Sequence, residues 1–194
     1  MTYKRSRTLR EYLQSLKASD PVLVQQTSRA VVCDDIPIPP IDDGEIVGFR
    51  YWGLDDFGRL LSGTRDYCWK VFNVADEVPS ESNSNGLYAH RITPFILMSG
   101  TLCSVGGICG LVSLSGRVVE HMDGVLRAEC AKVKCIWYVC PLIHCPERES
   151  EVCREVGLLV NNYPTVPLYV CTQRGVAGVL TMLAMRELML ERES

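Results

Sequence analysis

Apolar and polar positions alternate through the middle of this chain and fall into a three-four rhythm at its two ends. Near the start, Leu9, Tyr12, Leu13 and Leu16 share one face of a helix predicted over residues 8–18. Thr8 caps it and Glu11 follows three residues on, the capping-box spacing. Residues 36–45, "IPIPPIDDGE", carry three prolines and an Asp-Asp-Gly turn, and read as a connector. This divides the chain into an N-terminal helical appendage with its Pro-rich connector, 1–45, and a main domain, 46–194.

The main domain opens on "EIVGFRYWGLD", where Val47, Phe49 and Tyr51 alternate with Gly48, Arg50 and Trp52 as in a strand. "DDFG" turns the chain into a second strand, "RLLSGT". "PSESNSNG" is a polar surface loop, and "GLYAHRI" restarts ordered structure. "SLSGRVVEH" then pairs with "VLRAECAKVKCIWYV" as a hairpin. Residues 147–162 read as a short helix with a Glu-rich first turn. "YPTVPLYVC" is extended, and "RGVAGVLTMLAMRELMLERE" is a strong terminal helix. Strands gather in the middle and helices at the ends, without βαβ alternation. The expected fold is therefore α+β, with a mainly antiparallel sheet, a C-terminal helix and the N-terminal helical appendage.

Composition narrows the class. Of 194 residues, 47% are apolar and 22% charged, an ordinary globular balance for one sizeable core. The formal net charge is -3, so no basic excess exists to hold duplex nucleic acid. The first seventeen residues lack the apolar core of a secretory signal. Residues 92–116 carry no charge, but Pro94 and five glycines interrupt them, so two buried strands around a Gly-rich turn fit better than a membrane span. With no export signal, the ten cysteines read as reduced thiols in the core of a soluble cytoplasmic protein.

The densest polar cluster is "SGRVVEHMDGVLRAE", residues 115–129. Asp123-Gly124 is a hairpin signal. A two-residue loop places Glu120 across from Arg127, whereas a three-residue loop places Arg117 across from Glu129 and Val119 across from Arg127. Either register pairs opposite charges across strands. A catalytic use would make Glu120 a base and His121 a relay, but neighbours on one strand face opposite sides of a sheet. Surface pairing is the preferred reading, with ligand or partner binding by Glu120, His121, Arg127 and Glu129 next.

"GLYA" at 86–89, followed by this hairpin, resembles a family of small bacterial proteins common in actinobacteria. Their pattern is Gly-Ile-Tyr-Ala, a spacer, then Gly-x-Val-x-Glu-His-x-x-Gly-x-Arg-Ala-Glu. Gly86, Leu87, Tyr88 and Ala89 match the first part. Gly116, Val118, Glu120, His121, Gly124, Arg127, Ala128 and Glu129 match the second, apart from a residue at the turn. The resemblance spans about residues 47–170. It implies a fold and a soluble intracellular life, and no particular activity. Relatives carry His and Cys before the first motif, where this chain has "VPSESNSN", so no metal role transfers there.

Cys140, His144, Cys145 and Cys153 have the donor types of a Cys₃His zinc site but lack a tight Cys-x₂-Cys knuckle. Buried thiols are preferred over zinc, and no cofactor is expected. "SVGGICG" lacks the Lys-Ser/Thr of a phosphate loop. Trp52 and Tyr88 are candidate ligand-binding aromatics. If Arg50, Tyr51 and Trp52 share an open sheet face, a nucleotide or single strand could stack there. The terminal helix carries Leu180, Met182, Leu183, Met185, Leu188, Met189 and Leu190 on more than one face, so one face can pack on the sheet and leave surplus for a partner or a second subunit. The expected function is non-catalytic: binding or regulation through a protein partner or a small ligand. The alternatives are a small enzyme using Cys140–His144 or Glu120–His121, and a nucleotide or single-strand binding module.

Overall fold

The computed structural model describes residues 30–32, 36–62, 67–82, 84–93, 107–121, 124–141 and 148–193. The helix predicted over 8–18, the hairpin tip at Met122 and Asp123, and the segment with His144 and Cys145 lie outside the described residues.

Nine strands form one sheet. They are β1 (Ala30–Val32), β2 (Ile46–Leu54), β3 (Leu60–Ser62), β4 (Cys68–Trp69), β5 (Phe72–Val74), β6 (Leu87–Arg91), β7 (Ile108–Glu120), β8 (Val125–Val139) and β9 (Leu168–Cys171). Two helices are described, α1 (Glu149–Asn162) and α2 (Gln173–Glu193). This corrects the α+β expectation: the molecule is dominated by a large mixed sheet, in which β9 runs parallel to both β8 and β1. The reason lies in pairing range. A parallel neighbour arrives through a long crossover and leaves no turn signal between the two strands. The hairpin of β7 and β8, 13 and 15 residues long, is also much longer than the pieces read from local alternation.

Four strands close on themselves. β2 bonds β7 along one edge and β6 along the other, while β8 bonds β7 and β6 in the same way. His90 of β6 sits between Phe49 and Val125 and so completes the ring. Closure leaves these four strands without an open edge over the paired stretch. The register slips between Leu111 and Val112, where Cys135 and Val133 are their partners, so Lys134 is an extra residue in β8. The bulge changes the phase of alternation. Val133 packs in one core cluster with Ile136 and Tyr138, while Cys135 packs in the other with Trp137 and Val139. Lys134 projects to Glu45 at 2.5 Å.

The helices cover different core clusters. α1 repeats Val152, Val156, Leu159 and Val160 at three-four spacing and packs with Trp52, Trp69 and Tyr138. A 2.5 Å hydrogen bond from the Tyr138 hydroxyl to Glu155 Oε2 fastens it to β8. α2 packs Val176, Val179, Leu180 and Leu183 with Phe49, Leu111 and Trp137. Thr172 Oγ1 accepts the Gly175 N–H at its start, a helix cap. Of the uncharged run 92–116, residues 108–116 belong to β7. Among the described residues no helix is long and apolar enough to cross a membrane.

Candidate functional site

A cleft of about 210 Å³ opens where β2, β3 and β4 meet the start of β6. Arg50, Ser62, Tyr67, Trp69, Asp76, Glu77, Asn85 and Tyr88 are among the residues that line it. Strand alternation explains who reaches it. Arg50 and Trp52 are two apart on β2 and share a face, whereas Tyr51 points the other way and meets Phe49 edge-on at 4.7 Å. The three do not form the single stacking face considered from the sequence. Trp52 is instead buried and packs edge-to-face on Trp69 at 5.9 Å.

Arg50 is the centre of the cleft. Only 8% of its surface is exposed. Its guanidinium lies 4.4 Å from the centre of the Trp69 ring, a cation–π contact. One terminal nitrogen donates to the Tyr88 carbonyl and the other to Ser62 Oγ at 2.8 Å. Nε is buried without a hydrogen-bond partner. No carboxylate bonds this cation among the described residues. Burial alone pushes its pKa down from 12.5 to about 10, so it stays charged at neutral pH.

Tyr163, just past α1, holds the aromatic wall in place. Its hydroxyl donates to the Trp69 carbonyl at 2.6 Å and accepts the Leu60 N–H at 2.8 Å. Burial raises the pKa of the Tyr67 phenol and the carboxylate of Asp76 adds to the effect. Glu77 accepts a hydrogen bond from Asn85 Nδ2, which spans the loop between β5 and β6.

The two halves of the sequence motif meet behind this wall. Tyr88 stands across from Arg127 and Leu87 across from Ala128. Arg127 is 1% exposed, and its guanidinium donates to Ser80 O at 2.9 Å and Asn85 O at 3.4 Å. It therefore pins both ends of the polar loop that forms the cleft wall. Gly86 has φ +108, and a Cβ there would lie 3.1 Å from Pro79 and 3.2 Å from the Ala128 carbonyl. Only glycine satisfies both that backbone and that spacing.

The remaining predicted residues go elsewhere. Val119 stands across from Arg127, the register of the three-residue loop, so Glu120 does not face Arg127. Glu120 instead bonds Arg91 Nη1 through both oxygens, at 3.0 and 3.1 Å. His121 sits at the hairpin end, its backbone N–H bonded to the Val125 carbonyl and its Nε2 buried without a hydrogen-bond partner. Glu129 accepts the Arg117 N–H at 3.2 Å across the irregular stretch of β7. Of the six candidates Glu120, His121, Arg127, Glu129, Trp52 and Tyr88, only Tyr88 lines the cleft. Trp52 backs its aromatic wall and Arg127 backs its loop.

Cys140 and Cys153 are buried, as are Cys109, Cys135 and Cys171. Burial pushes the Cys135 thiol up to about 12, which leaves it protonated and unreactive at neutral pH. Among the described residues no group of three His, Cys, Asp or Glu side chains is placed to hold a metal ion. The sequence reading missed Ser62, Tyr67, Asp76, Glu77 and Asn85. Nothing local marks them, because strand pairing and loop closure bring them together. No protein-family model, curated protein or solved structure matches this chain.

Proposed function

We propose that this is a non-catalytic binding protein whose cleft receives a small ligand bearing an anionic group on Arg50. One observation carries the reading: an arginine more than nine-tenths buried that lines a cleft, with no carboxylate among the described residues paired to it. A buried charge without a counter-ion costs several kcal/mol, and a ligand's anion would offset that cost. The cleft volume, about 210 Å³, suits a small molecule. We place the protein in a reducing cytoplasm, a reading supported by its buried cysteines.

The test is a panel of small monocarboxylates, followed by ligand-observed NMR and melting temperature, with wild type and Arg50→Gln side by side. Carboxylates should bind and raise the melting temperature of the wild type alone. Equal binding to both proteins, or to neither, would remove the reading.

A second reading concerns association. Gly178, Met182, Met185 and Met189 lie at spacings of four, three and four on α2, the rhythm of a helix–helix seam. The methionines are 50%, 54% and 61% exposed, and the Cβ position of Gly178 faces open space. A second copy of the chain suits this row: in an antiparallel pair, methionines at one end meet the glycine notch at the other. Light scattering across concentrations should show a dimer that Met185→Glu dissociates. A concentration-independent monomer would dismiss the seam.

A further inference from the structure

We infer that the ligand of the Arg50 cleft is a small zwitterion of the α-amino-acid class, its carboxylate on Arg50 and its ammonium toward Asp76 and Glu77. The inference rests on the reading of the cleft as a ligand site and adds the ligand's charge pattern. Arg50 gives the cleft lining one positive charge and Asp76 and Glu77 give it two negative ones, yet among the described residues no ion pair joins them. The fold holds them apart. Arg50 is tied to Ser62 and the Tyr88 carbonyl, and Glu77 to Asn85.

Charge balance then decides among ligand classes. A phosphate dianion meets one cation and two carboxylates, a net repulsion. A simple amine leaves Arg50 without a counter-ion. A molecule with one carboxylate and one ammonium matches both signs of charge in the cleft, and its single-charge analogues bind more weakly because each leaves one sign unmatched. Tyr67, Leu87 and the edge of Trp69 supply apolar surface for a side chain between the charged ends. The cleft's volume, about 210 Å³, is on the scale of an amino acid or a very short peptide.

The experiment titrates the full chain by calorimetry with the free L-α-amino acids, then with the N-acetyl derivative and the amide of each binder. These derivatives remove one charge at a time without altering the protein. The expected result is a free amino acid that binds, with both derivatives at least tenfold weaker. Asp76→Asn with Glu77→Gln should weaken the free amino acid about tenfold and leave the N-acetyl derivative unchanged. If the N-acetyl derivative binds as tightly as the free amino acid, the cleft is a plain carboxylate site. The zwitterion is then overturned while the ligand cleft stands. If no free amino acid, N-acetyl derivative, amide or simple carboxylate binds, both fall together.

Discussion

The guanidinium of Arg50 rests 4.4 Å from the centre of the Trp69 ring, and among the described residues no carboxylate pairs with it. The two residues come from different strands, β2 and β4, joined through β3. The ring offers part of what a carboxylate would, on the order of 0.5–2 kcal/mol. The remainder of the burial cost stays in the fold, and five expectations follow from this contact and its surroundings.

Arg50→Met should leave stability unchanged or raise it, while abolishing ligand binding. The fall in pKa from 12.5 to about 10 means the charged form is disfavoured in the fold by about 3 kcal/mol. For a base with a depressed pKa the penalty is fully present below about pH 10 and is relieved as pH rises above it. Methionine removes that penalty at the cost of the bonds to Ser62 and Tyr88, about 1.5–3 kcal/mol each for a charged donor, so the two roughly offset. Urea unfolding at pH 7 checks it; a loss above about 2 kcal/mol would show that the cation stabilises the fold.

Arg127→Ala should destabilise by about 3 kcal/mol and loosen the loop at 79–86. From sequence alone this residue reads as a surface charge whose removal only dents stability. Its burial and its bonds to Ser80 and Asn85 make it a loop anchor instead. Hydrogen exchange should quicken in that loop well before global unfolding. Arg127→Lys should not restore protection, since one ammonium cannot span both carbonyls as the planar fork does.

Glu45 ties the bulge at Lys134. Burial raises the pKa of its carboxyl, but hydrogen bonds from Lys134, Ser113 and the Asp42 N–H together lower it below the usual 4.5. A depressed carboxyl contributes stability above its unfolded pKa and loses it as pH falls through the folded value. Stability should therefore drop below about pH 4.5, and Glu45→Gln should flatten that acid limb. The variant should also cost about 1–3 kcal/mol at pH 7, because Lys134 is left largely buried beside a neutral amide.

Gly58→Ala should destabilise the β2–β3 turn by more than about 2 kcal/mol. Gly58 has φ +77, and an added Cβ would come within 2.3 Å of Leu158 Cβ on α1. Thermal unfolding of the variant tests whether α1 can retreat. A melting temperature within a degree or two of wild type would mean that it does.

Tyr163→Phe should cost about 1–3 kcal/mol and weaken ligand binding without altering the charges of the cleft. It orphans the Leu60 N–H and the Trp69 carbonyl, both buried, and frees β4 to shift under Arg50. A stability loss with unchanged affinity would show that Trp69 is held by packing alone.

Local pattern was enough to place several elements. Alternation from Val47 to Trp52 marks β2, the three-four spacing of Val152, Val156 and Leu159 marks α1, and the long apolar rhythm after Gln173 marks α2. These signals survive because each depends on residues within two turns of one another. Composition likewise disfavoured duplex nucleic acid without reference to any contact. The tertiary structure decided the rest. It closed β2, β7, β8 and β6 into a ring, added β9 and β1 in parallel, and shifted the face of β8 at Lys134. It also turned Arg50 from one residue of an alternating strand into a buried cation, and Arg127 from surface charge into loop anchor. The cleft draws on positions from 50 to 88, which pairing between distant strands brings within a few ångströms. Such long-range closure is set by the packing of the whole chain, and no local run of residues carries it.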